Sequence, residues 1–468
     1  MSLWSTWMEL VAFLLPACSR IRTGLWFVTA LIGFSIRTDM FGVTSFVRVL
    51  GLKERCYDRL LDLFHSPALN LDNLTTRWVS FVLSKFPVIT KNGRIVLLGD
   101  GLKAPKTGRK MPAVKKLHQE SQNNNKPEYI MGHSCQAIGL LVGTANNAFS
   151  VPLSARIHEG LVFSNRDKST QLDKMISLLR SLKICSSGYF VADAYYACAP
   201  IIRGLLKEGH HLVSRVRRNA VAYKQPIAPT ANEKKRRGPK KKYGDKIALI
   251  TLFDDKSSMD VIDSPLPGEK DIHIPFRSMD LIWRRVGLLI RFVAICHPVR
   301  GSILLMTTDL TLSVPDILEL YAWRFKIEVS FKQAVRTIGS FAYHFWMKMM
   351  KRIKRETGDQ YLHRETKEYR EAIVRKIEAY HRFIQVGLIA QGLLQYLSCH
   401  HAAAIWSAHG TWLRTIRPDR WPSEMLTAVC LRNLFPEYLV GKAKNLIIVN
   451  FLRSHLDLER AEGMRLVA

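Results

Sequence analysis

The sequence is poor in acidic residues and contains neither paired cysteine motifs nor a long purely apolar run. Asp and Glu number 39 against 69 Lys and Arg in 468 residues, which leaves a formal net charge of +30. None of the eight cysteines forms a Cys-x-x-Cys pair, so neither a zinc ribbon nor a dense disulfide scaffold is indicated. This cysteine usage is typical of a reduced, cytosolic protein.

Uncharged stretches are present, but none has the form of a membrane span. Residues 10–19 and 23–36 are shorter than the ~18–20 residues that a span requires. The longest stretch, 383–413, contains several glutamines and histidines, which favours a buried amphipathic helix. We therefore predict a protein without a membrane partner.

Composition and charge together narrow the class of protein. Hydrophobic residues at 47% and charged residues at 23% exclude wholesale disorder, and the length suggests two to four domains. A surplus of 30 positive charges indicates a polyanionic partner. Nucleic acid is the first candidate and an anionic membrane surface the second.

The amino-terminal part, residues 1–90, is predicted to be a helical DNA-binding region. Short apolar-periodic helices over 43–52 and 53–64 are joined at a glycine, as in a helix-turn-helix. Any two packed helices would give the same pattern, so both interpretations remain open.

A mixed α/β core is predicted from residue 91 onwards, because continuous apolar runs alternate with helical periodicity. The predicted strands cover 95–100, 137–142, 149–155, 188–193 and 211–216, and the predicted helices cover 171–182 and 196–207. The turn residues Gly-Thr-Ala-Asn-Asn separate the second and third strands, which predicts that these two strands form a hairpin.

The domain prediction has five parts. The first part of the core covers 91–216, a β-rich insertion 217–300, the last part of the core 301–345, and a helical carboxyl-terminal region 346–468. Within the last part of the core, a strand is predicted over 302–308. Ser313 and Asp316 have the spacing of a helix start, which predicts one helix over 314–337.

Two of the predicted strands end in an aspartate, Asp100 and Asp193. Strand carboxyl ends line the usual active-site crevice of an α/β sheet. Two carboxylates close together favour a cation between them, and oxygen ligands with open water positions suit Mg²⁺. Each acid taken alone is equally well explained as a polar strand end or a helix cap.

Four polar residues of the helix after the insertion share one face. Tyr321, Arg324, Glu328 and Lys332 are spaced i, i+3, i+7 and i+11. An acid flanked by cations and a tyrosine is suited to binding a phosphodiester, because the acid can bind a metal ion and the cations can bind the phosphate. A solvated face with salt-bridged charges is the alternative.

These residues resemble the Y-(2)-R-(3)-E signature of DDE transposases from bacterial insertion sequences. The resemblance covers roughly residues 90–345 and is closest to the subgroup with a β-strand insertion before the glutamate. Asp100 and Asp193 match the first and second acids, and the 135 residues from Asp193 to Glu328 leave room for that insertion. The family's lysine seven residues after the glutamate is replaced here by Val335.

The resemblance implies a ribonuclease-H-like catalytic core and a DNA transposase activity. Asp100, Asp193 and Glu328 would bind two Mg²⁺ ions, for which Mn²⁺ can substitute, for cleavage and strand transfer. The resemblance also implies that the transposon ends are bound by Tyr321, Arg324 and Lys332. The implied partners are double-stranded DNA, namely the inverted-repeat ends and the target, and a second copy of the chain in a homodimer on DNA.

Basic clusters fit a DNA path beside the acids. No acid lies between Asp100 and Glu120, and a loop of this charge beside metal ligands should contact phosphates. The candidate DNA contacts are Lys103, Lys106, Arg109 and Lys110, followed by Lys115 and Lys116. The basic run 234–242 suits an A·T-rich minor groove. A merely solvated loop explains either cluster as an alternative.

Two further functions compete with a transposase. A catalytically inactive DNA-binding protein derived from the same scaffold would not need all three acids, which are present here. A membrane protein would leave Asp100, Asp193 and Glu328 unexplained. We expect a cytoplasmic, nucleoid-associated protein.

Overall fold

The structure is a computed structural model, which describes residues 2–119, 127–144, 146–226, 241–409, 416–441 and 446–459. Its α-helices are α1 Leu3–Ala12, α2 Ile21–Ile36, α3 Val43–Val49, α4 Cys56–His65, α5 Leu71–Lys85, α6 Gln171–Ser181, α7 Ala199–Lys207, α8 Val314–Trp323, α9 Phe325–Gln333, α10 Lys367–His400, α11 Ala402–His409, α12 Glu424–Val440 and α13 Leu446–His455. Its strands are β1 Thr90–Lys91, β2 Arg94–Pro105, β3 Lys115–His118, β4 Tyr129–Gly143, β5 Ala148–Ile157, β6 Leu161–Val162, β7 Gly188–Ala192, β8 His210–Arg215, β9 Val221–Tyr223, β10 Lys246–Ala248, β11 Asp260–Asp263, β12 His273–Trp283, β13 Leu288–His297, β14 Gly301–Thr307 and β15 Gln360–Tyr361. The prediction of a mixed α/β protein is confirmed.

The chain divides into two compact units. Unit 1 consists of Met1–Val88, Gly101–Lys183 and Ile327–Ala468, and unit 2 of Ile89–Asp100 and Ile184–Lys326. Strand β2 passes from unit 2 into unit 1 after Asp100, and helix α9 does so after Lys326. The five-part domain division remains a prediction.

Unit 2 is built on a sheet in which three parallel strands continue into antiparallel ones. The strand order is β10-β9-β12-β13-β14-β8-β7-β2, with β2, β7 and β8 parallel. The parallel strands are fully buried at Val96, Phe190 and Leu212. They read as continuous apolar runs because both faces of a parallel sheet are covered.

The described residues of 217–300 contain β9 to β13 and two short 3-10 helices, and no α-helix. Strands β12 and β13 form the long hairpin of this region, paired from Phe276↔Ile295 to Trp283↔Leu288. Residues 249–253, predicted to be β-rich, instead form a 3-10 helix. Most of the basic run 234–242 lies outside the described residues.

Unit 1 combines helices with the antiparallel hairpin β4–β5. Helix α10 is its centre, and α10 packs on β5, α2, α12 and α4. The glutamines that made its sequence unlike a membrane span are buried and hydrogen-bonded: Gln385 Nε2 donates to the carbonyl of Leu153 at 2.9 Å, and its Oε1 accepts from Ser154. No helix in the described ranges is long and apolar enough to cross a membrane.

Two predicted helical regions differ from the structure. The helix predicted over 314–337 is divided into α8, α9 and a π-helix at Ala334–Ile338, because the Arg324 N–H bonds the carbonyl of Tyr321 three residues back. Residues 346–366 contain no α-helix, although 346–468 is predicted to be a helical region. Backbone hydrogen bonds to residues 109–116 hold part of this segment in an irregular path.

Candidate active site

The two candidate aspartates lie at the same level of neighbouring parallel strands. Strands β2 and β7 pair from Ile95↔Gly188 to Leu98↔Val191. Extended by two residues, this register sets Asp100 level with Asp193, and neighbouring strands are ~4.8 Å apart. In-register residues of parallel strands point to the same face, so the sheet itself brings the two carboxylates together.

Local hydrogen bonds hold Asp193 directly after β7. Its Oδ1 accepts the N–H of Tyr195 at 3.0 Å, and its backbone carbonyl accepts the Ser214 hydroxyl at 2.8 Å. The carbonyl also accepts the N–H of Tyr196 at 3.1 Å. The turn after β7 therefore has a fixed geometry, anchored to β8 through Ser214.

Arg324 and Tyr321 lie near these acids. Arg324 Nη1 is 3.6 Å from Asp100 Oδ2, and both side chains are about one-fifth exposed, at 22% and 20%. Burial raises the pKa of Tyr321, and the nearby Asp193 carboxylate acts in the same direction, whereas Arg324 and Arg215 lower it. Arg324, directly after α8, therefore lies beside Asp100, and Tyr321 of α8 lies near Asp193.

Arg215 is a site residue that the sequence analysis missed. Strands β7 and β8 pair up to Ala192↔Ser214, so the next level sets Arg215 opposite Asp193. Its guanidinium is close enough to act on the pKa of Tyr321. The signal was available, because the strand-end rule that selected Asp100 and Asp193 applies equally to the third parallel strand.

Glu328 and Lys332 belong to the next helix. Glu328 lies in the first turn of α9 and Lys332 in its last turn, where Lys332 is exposed. Val335 and Arg336 follow in the π-helix and are exposed as well. The rotation of ~100° per residue of an α-helix does not hold in a π-helix. Only Lys332 therefore keeps its predicted angular position around the helix relative to Glu328.

The donor chemistry of Asp100 and Asp193 suits a hard divalent cation. Asp100 and Asp193 offer carboxylate oxygens, which Mg²⁺ and Mn²⁺ prefer, and Arg324 balances the charge of Asp100. Among the residues that the structure describes, no three His, Cys, Asp or Glu side chains are grouped as a metal site. The role of Glu328 as a third ligand therefore remains a prediction.

The predicted basic loop after Asp100 needs one correction. Lys106 is only 6% exposed, and its ammonium donates to the carbonyls of Phe341 and Tyr343 and lies 3.7 Å from the centre of the Tyr343 ring. Burial lowers the pKa of Lys106 to about 7. Lys106 therefore anchors unit 1 internally and does not face DNA.

The other lysines and arginines that follow Asp100 lie nearer to solvent, and Lys103 lies in β2 and not in a loop. Lys103 and Arg109 are exposed, and the ammonium of Lys103 bonds the carbonyl of His118. Lys110 Nζ donates to the carbonyl of Lys348 at 2.7 Å. Lys103, Arg109 and Lys110 remain predicted DNA contacts.

Asp100 lies within β2 and not at its end as predicted, and Asp193 directly follows β7. An acid pair on adjacent parallel strands, flanked by two arginines, is suited to phosphodiester chemistry. The model of the Transposase DDE domain family matches residues 148–342, which is less than half of the chain. This match includes Asp193, Tyr321, Arg324 and Glu328 and begins after Asp100, and it supports a DDE transposase.

Comparison with solved structures and with curated proteins adds no functional assignment. The structure of a piggyBac transposase synaptic complex with hairpin DNA, determined by cryo-electron microscopy, is similar over 94% of this chain and 77% of its own, with 11% identity and a TM-score of 0.37. None of the curated proteins matches the chain.

Proposed function

We propose that the protein is a DNA transposase of the DDE type that cleaves transposon ends and joins them to target DNA. The observation that carries this proposal is the register of β2 and β7, which sets Asp100 level with Asp193 beside Arg324. The match of residues 148–342 to a transposase DDE domain supports it independently.

The order of the core strands supports a ribonuclease-H-like catalytic core. Within unit 1, β5 pairs antiparallel with β4, and within unit 2 the strands β2, β7 and β8 are parallel neighbours. An antiparallel hairpin and three adjacent parallel strands, with one acid within β2 and one directly after β7, are elements that such a core requires. The insertion of β9 to β13 before Glu328 fits the subgroup with the Y-(2)-R-(3)-E signature.

Asp100, Asp193 and Glu328 are the residues that would hold divalent metal ions. When bound, such ions activate a water or a 3′-hydroxyl and stabilise the oxygen that leaves the scissile phosphate. Arg324 neutralises Asp100 at 3.6 Å, which lets two carboxylates stand side by side before the reaction. Arg215 and Arg324 then lie where they bind phosphate oxygens, and Tyr321 contacts the terminal nucleotide.

Lys103, Arg109, Lys110 and Lys332 are proposed to bind the DNA backbone, which supplies affinity without sequence readout. The proposed partners are the inverted-repeat ends, the target DNA and a second copy of the chain. We also propose an origin in a bacterial insertion sequence and a cytoplasmic, nucleoid-associated location.

Cleavage of transposon-end DNA by the purified protein tests the proposal. Inverted repeats in the DNA that flanks the gene supply the substrate. With Mg²⁺, the wild-type protein should cut this duplex, and Asp193→Asn should lower the rate by ~10²-fold or more while DNA binding is retained. Asp167→Asn is the matched control, because Asp167 is an exposed aspartate whose hydrogen bonds stay within its own loop.

The alternative is a DNA-binding protein without catalytic activity, built on the same scaffold. It predicts binding of the repeats by wild-type protein and Asp193→Asn alike, with no cleavage by either under any divalent metal. That outcome would replace the catalytic proposal by the alternative.

A further inference from the structure

A second strongly basic surface lies in unit 1, in the segment 347–357 that precedes α10. Met347, Met350 and Ile353 are buried at intervals of three residues and fix the segment to the protein. The residues between them, and the two that follow Ile353, are exposed, and five of these six are cations: Lys348, Lys351, Arg352, Lys354 and Arg355. We call residues 347–357 the basic ridge.

The basic ridge has a defined path, although it is neither helix nor strand. Three backbone hydrogen bonds join it to the segment 109–116. The N–H of Met347 donates to the carbonyl of Lys110 at 2.9 Å, and that of Ile353 donates to the carbonyl of Arg109 at 2.8 Å. In the other direction, the N–H of Lys116 donates to the carbonyl of Thr357 at 2.8 Å. Paired backbones and buried anchors preorganise the cations, which lowers the entropy lost when a ligand binds.

The two paired segments border a cleft of about 460 Å³. Its lining includes Arg109, Lys116, Tyr129, Lys354 and Arg355, with Glu356 as one acid. Tyr129 is 46% exposed, and Lys116 Nζ lies 4.3 Å from the centre of its ring. Cations on both sides of an open groove with an aromatic ring are typical of a surface that binds a nucleic-acid backbone.

The number of charges favours duplex DNA over a compact anion. The ridge carries no acid from residue 348 to residue 355. Five cations without an acid among them exceed the charge of one compact anion and suit a backbone of successive phosphates. The ridge also lacks the amphipathic helix by which a protein segment typically lies on a lipid surface.

We propose that the basic ridge, together with Arg109 and Lys110, is a phosphate-binding surface for double-stranded DNA, additional to the strand-end acids and α8. The proposal rests on the proposed function in so far as the DNA is that on which a transposase acts. Its contribution is affinity for DNA of any sequence, expressed through the release of counterions.

The test compares two double variants that each remove two positive charges. Arg352→Ala with Arg355→Ala alters the ridge. Lys367→Ala with Arg375→Ala is the control on α10, where both cations are exposed and lie 4.0 and 3.9 Å from Glu371. Binding of a duplex of arbitrary sequence is measured by fluorescence anisotropy over a salt series, with the full chain and without divalent metal.

The ridge variant should lower the slope of log K against log salt by about two, and weaken binding roughly tenfold per lost contact at 0.1 M salt. The control should keep the wild-type slope. Replacing both ridge arginines by lysine should restore the slope, and equal unfolding midpoints should show that all variants are folded.

An unchanged slope in the folded ridge variant, or an equal fall in the control, would overturn the proposal. Phosphatidylserine vesicles serve as a second probe: loss of vesicle binding with an unchanged DNA slope would assign the ridge to a lipid surface instead. The outcome is independent of catalysis, because failure of the proposed function appears as absent Mg²⁺-dependent cleavage and leaves the salt slope unaffected.

Discussion

Gly99 is the residue on which the alignment of the two aspartates depends most directly, and Gly99→Ala should disturb it. A Cβ atom at this position would stand 2.7 Å from both Cε atoms of the Phe190 ring and closer still to its Cζ, whereas ordinary contacts begin at 3.4 Å. Phe190 is fully buried in β7, three residues before Asp193. The ring or the strand must therefore move by about 1 Å, and overpacking of this kind costs ~1–3 kcal/mol.

We expect the upper part of that range, a loss of ~2–3 kcal/mol in the free energy of unfolding, because the clash involves a ring rather than a flexible chain end. Chemical denaturation of wild-type protein and Gly99→Ala measures it. Gly358→Ala is the control, since a Cβ there meets nothing within 4 Å. Combining Gly99→Ala with Phe190→Leu should recover ~1–3 kcal/mol relative to the sum of the single changes. A loss below ~0.5 kcal/mol, or strict additivity, would refute the close packing of β2 on β7.

Three further predictions concern buried and exposed charges. Burial lowers the pKa of Lys106 to about 7 from its ordinary 10.5. Between these pH values the Lys106 amine is protonated in the unfolded chain but not in the folded one. The free energy of unfolding of the wild-type protein, relative to that of Lys106→Met, should therefore rise by ~1.4 kcal/mol per pH unit from pH 7 upwards, as measured by urea unfolding. Burial raises the pKa of Asp309, but the hydrogen bonds that its carboxylate accepts outweigh this effect and leave the pKa lowered. Asp309→Asn removes the carboxylate that pairs with Arg94 at 3.1 Å. In the same assay it should lower the free energy of unfolding by ~3 kcal/mol at neutral pH, and by less as the pH falls through the acidic range. Lys332→Ala should lower the salt slope for cleaved transposon ends by about one, whereas Arg336→Ala should not; a change in Arg336→Ala alone would assign the phosphate contact to Arg336.

The strands of the core could be predicted from the sequence because buried parallel strands have a distinctive pattern. The runs 95–100, 188–193 and 211–216 each fall within a few residues of β2, β7 and β8. The candidate acids followed from the same pattern, since both stand at the ends of these runs. Pairing of Asp100 with Asp193 at one level required the register, which depends on distant residues such as Phe190 packing over Gly99.

Features that depend on long-range contacts could not be predicted. Lys106 reads as part of a solvated basic loop, but carbonyls more than 230 residues away bind its ammonium. The irregular path of residues 345–366 likewise depends on hydrogen bonds to residues 109–116, and its charges alone resemble those of a solvated helix. The division between α8 and α9 at Arg324 has no proline or glycine to announce it.

Binding of Mn²⁺ to the protein–DNA complex, followed by electron paramagnetic resonance, tests the proposed acid site most directly. Wild-type protein is compared with Asp100→Asn, Asp193→Asn, Glu328→Gln and the exposed control Asp167→Asn, each with the transposon-end duplex. We predict that each of the first three variants weakens Mn²⁺ binding by ~10-fold or more, because each removes one carboxylate ligand, while the control binds as the wild-type protein does. Wild-type Mn²⁺ affinity in Asp100→Asn or Asp193→Asn would contradict the strand-end metal site, and wild-type affinity in Glu328→Gln would remove the third acid from it.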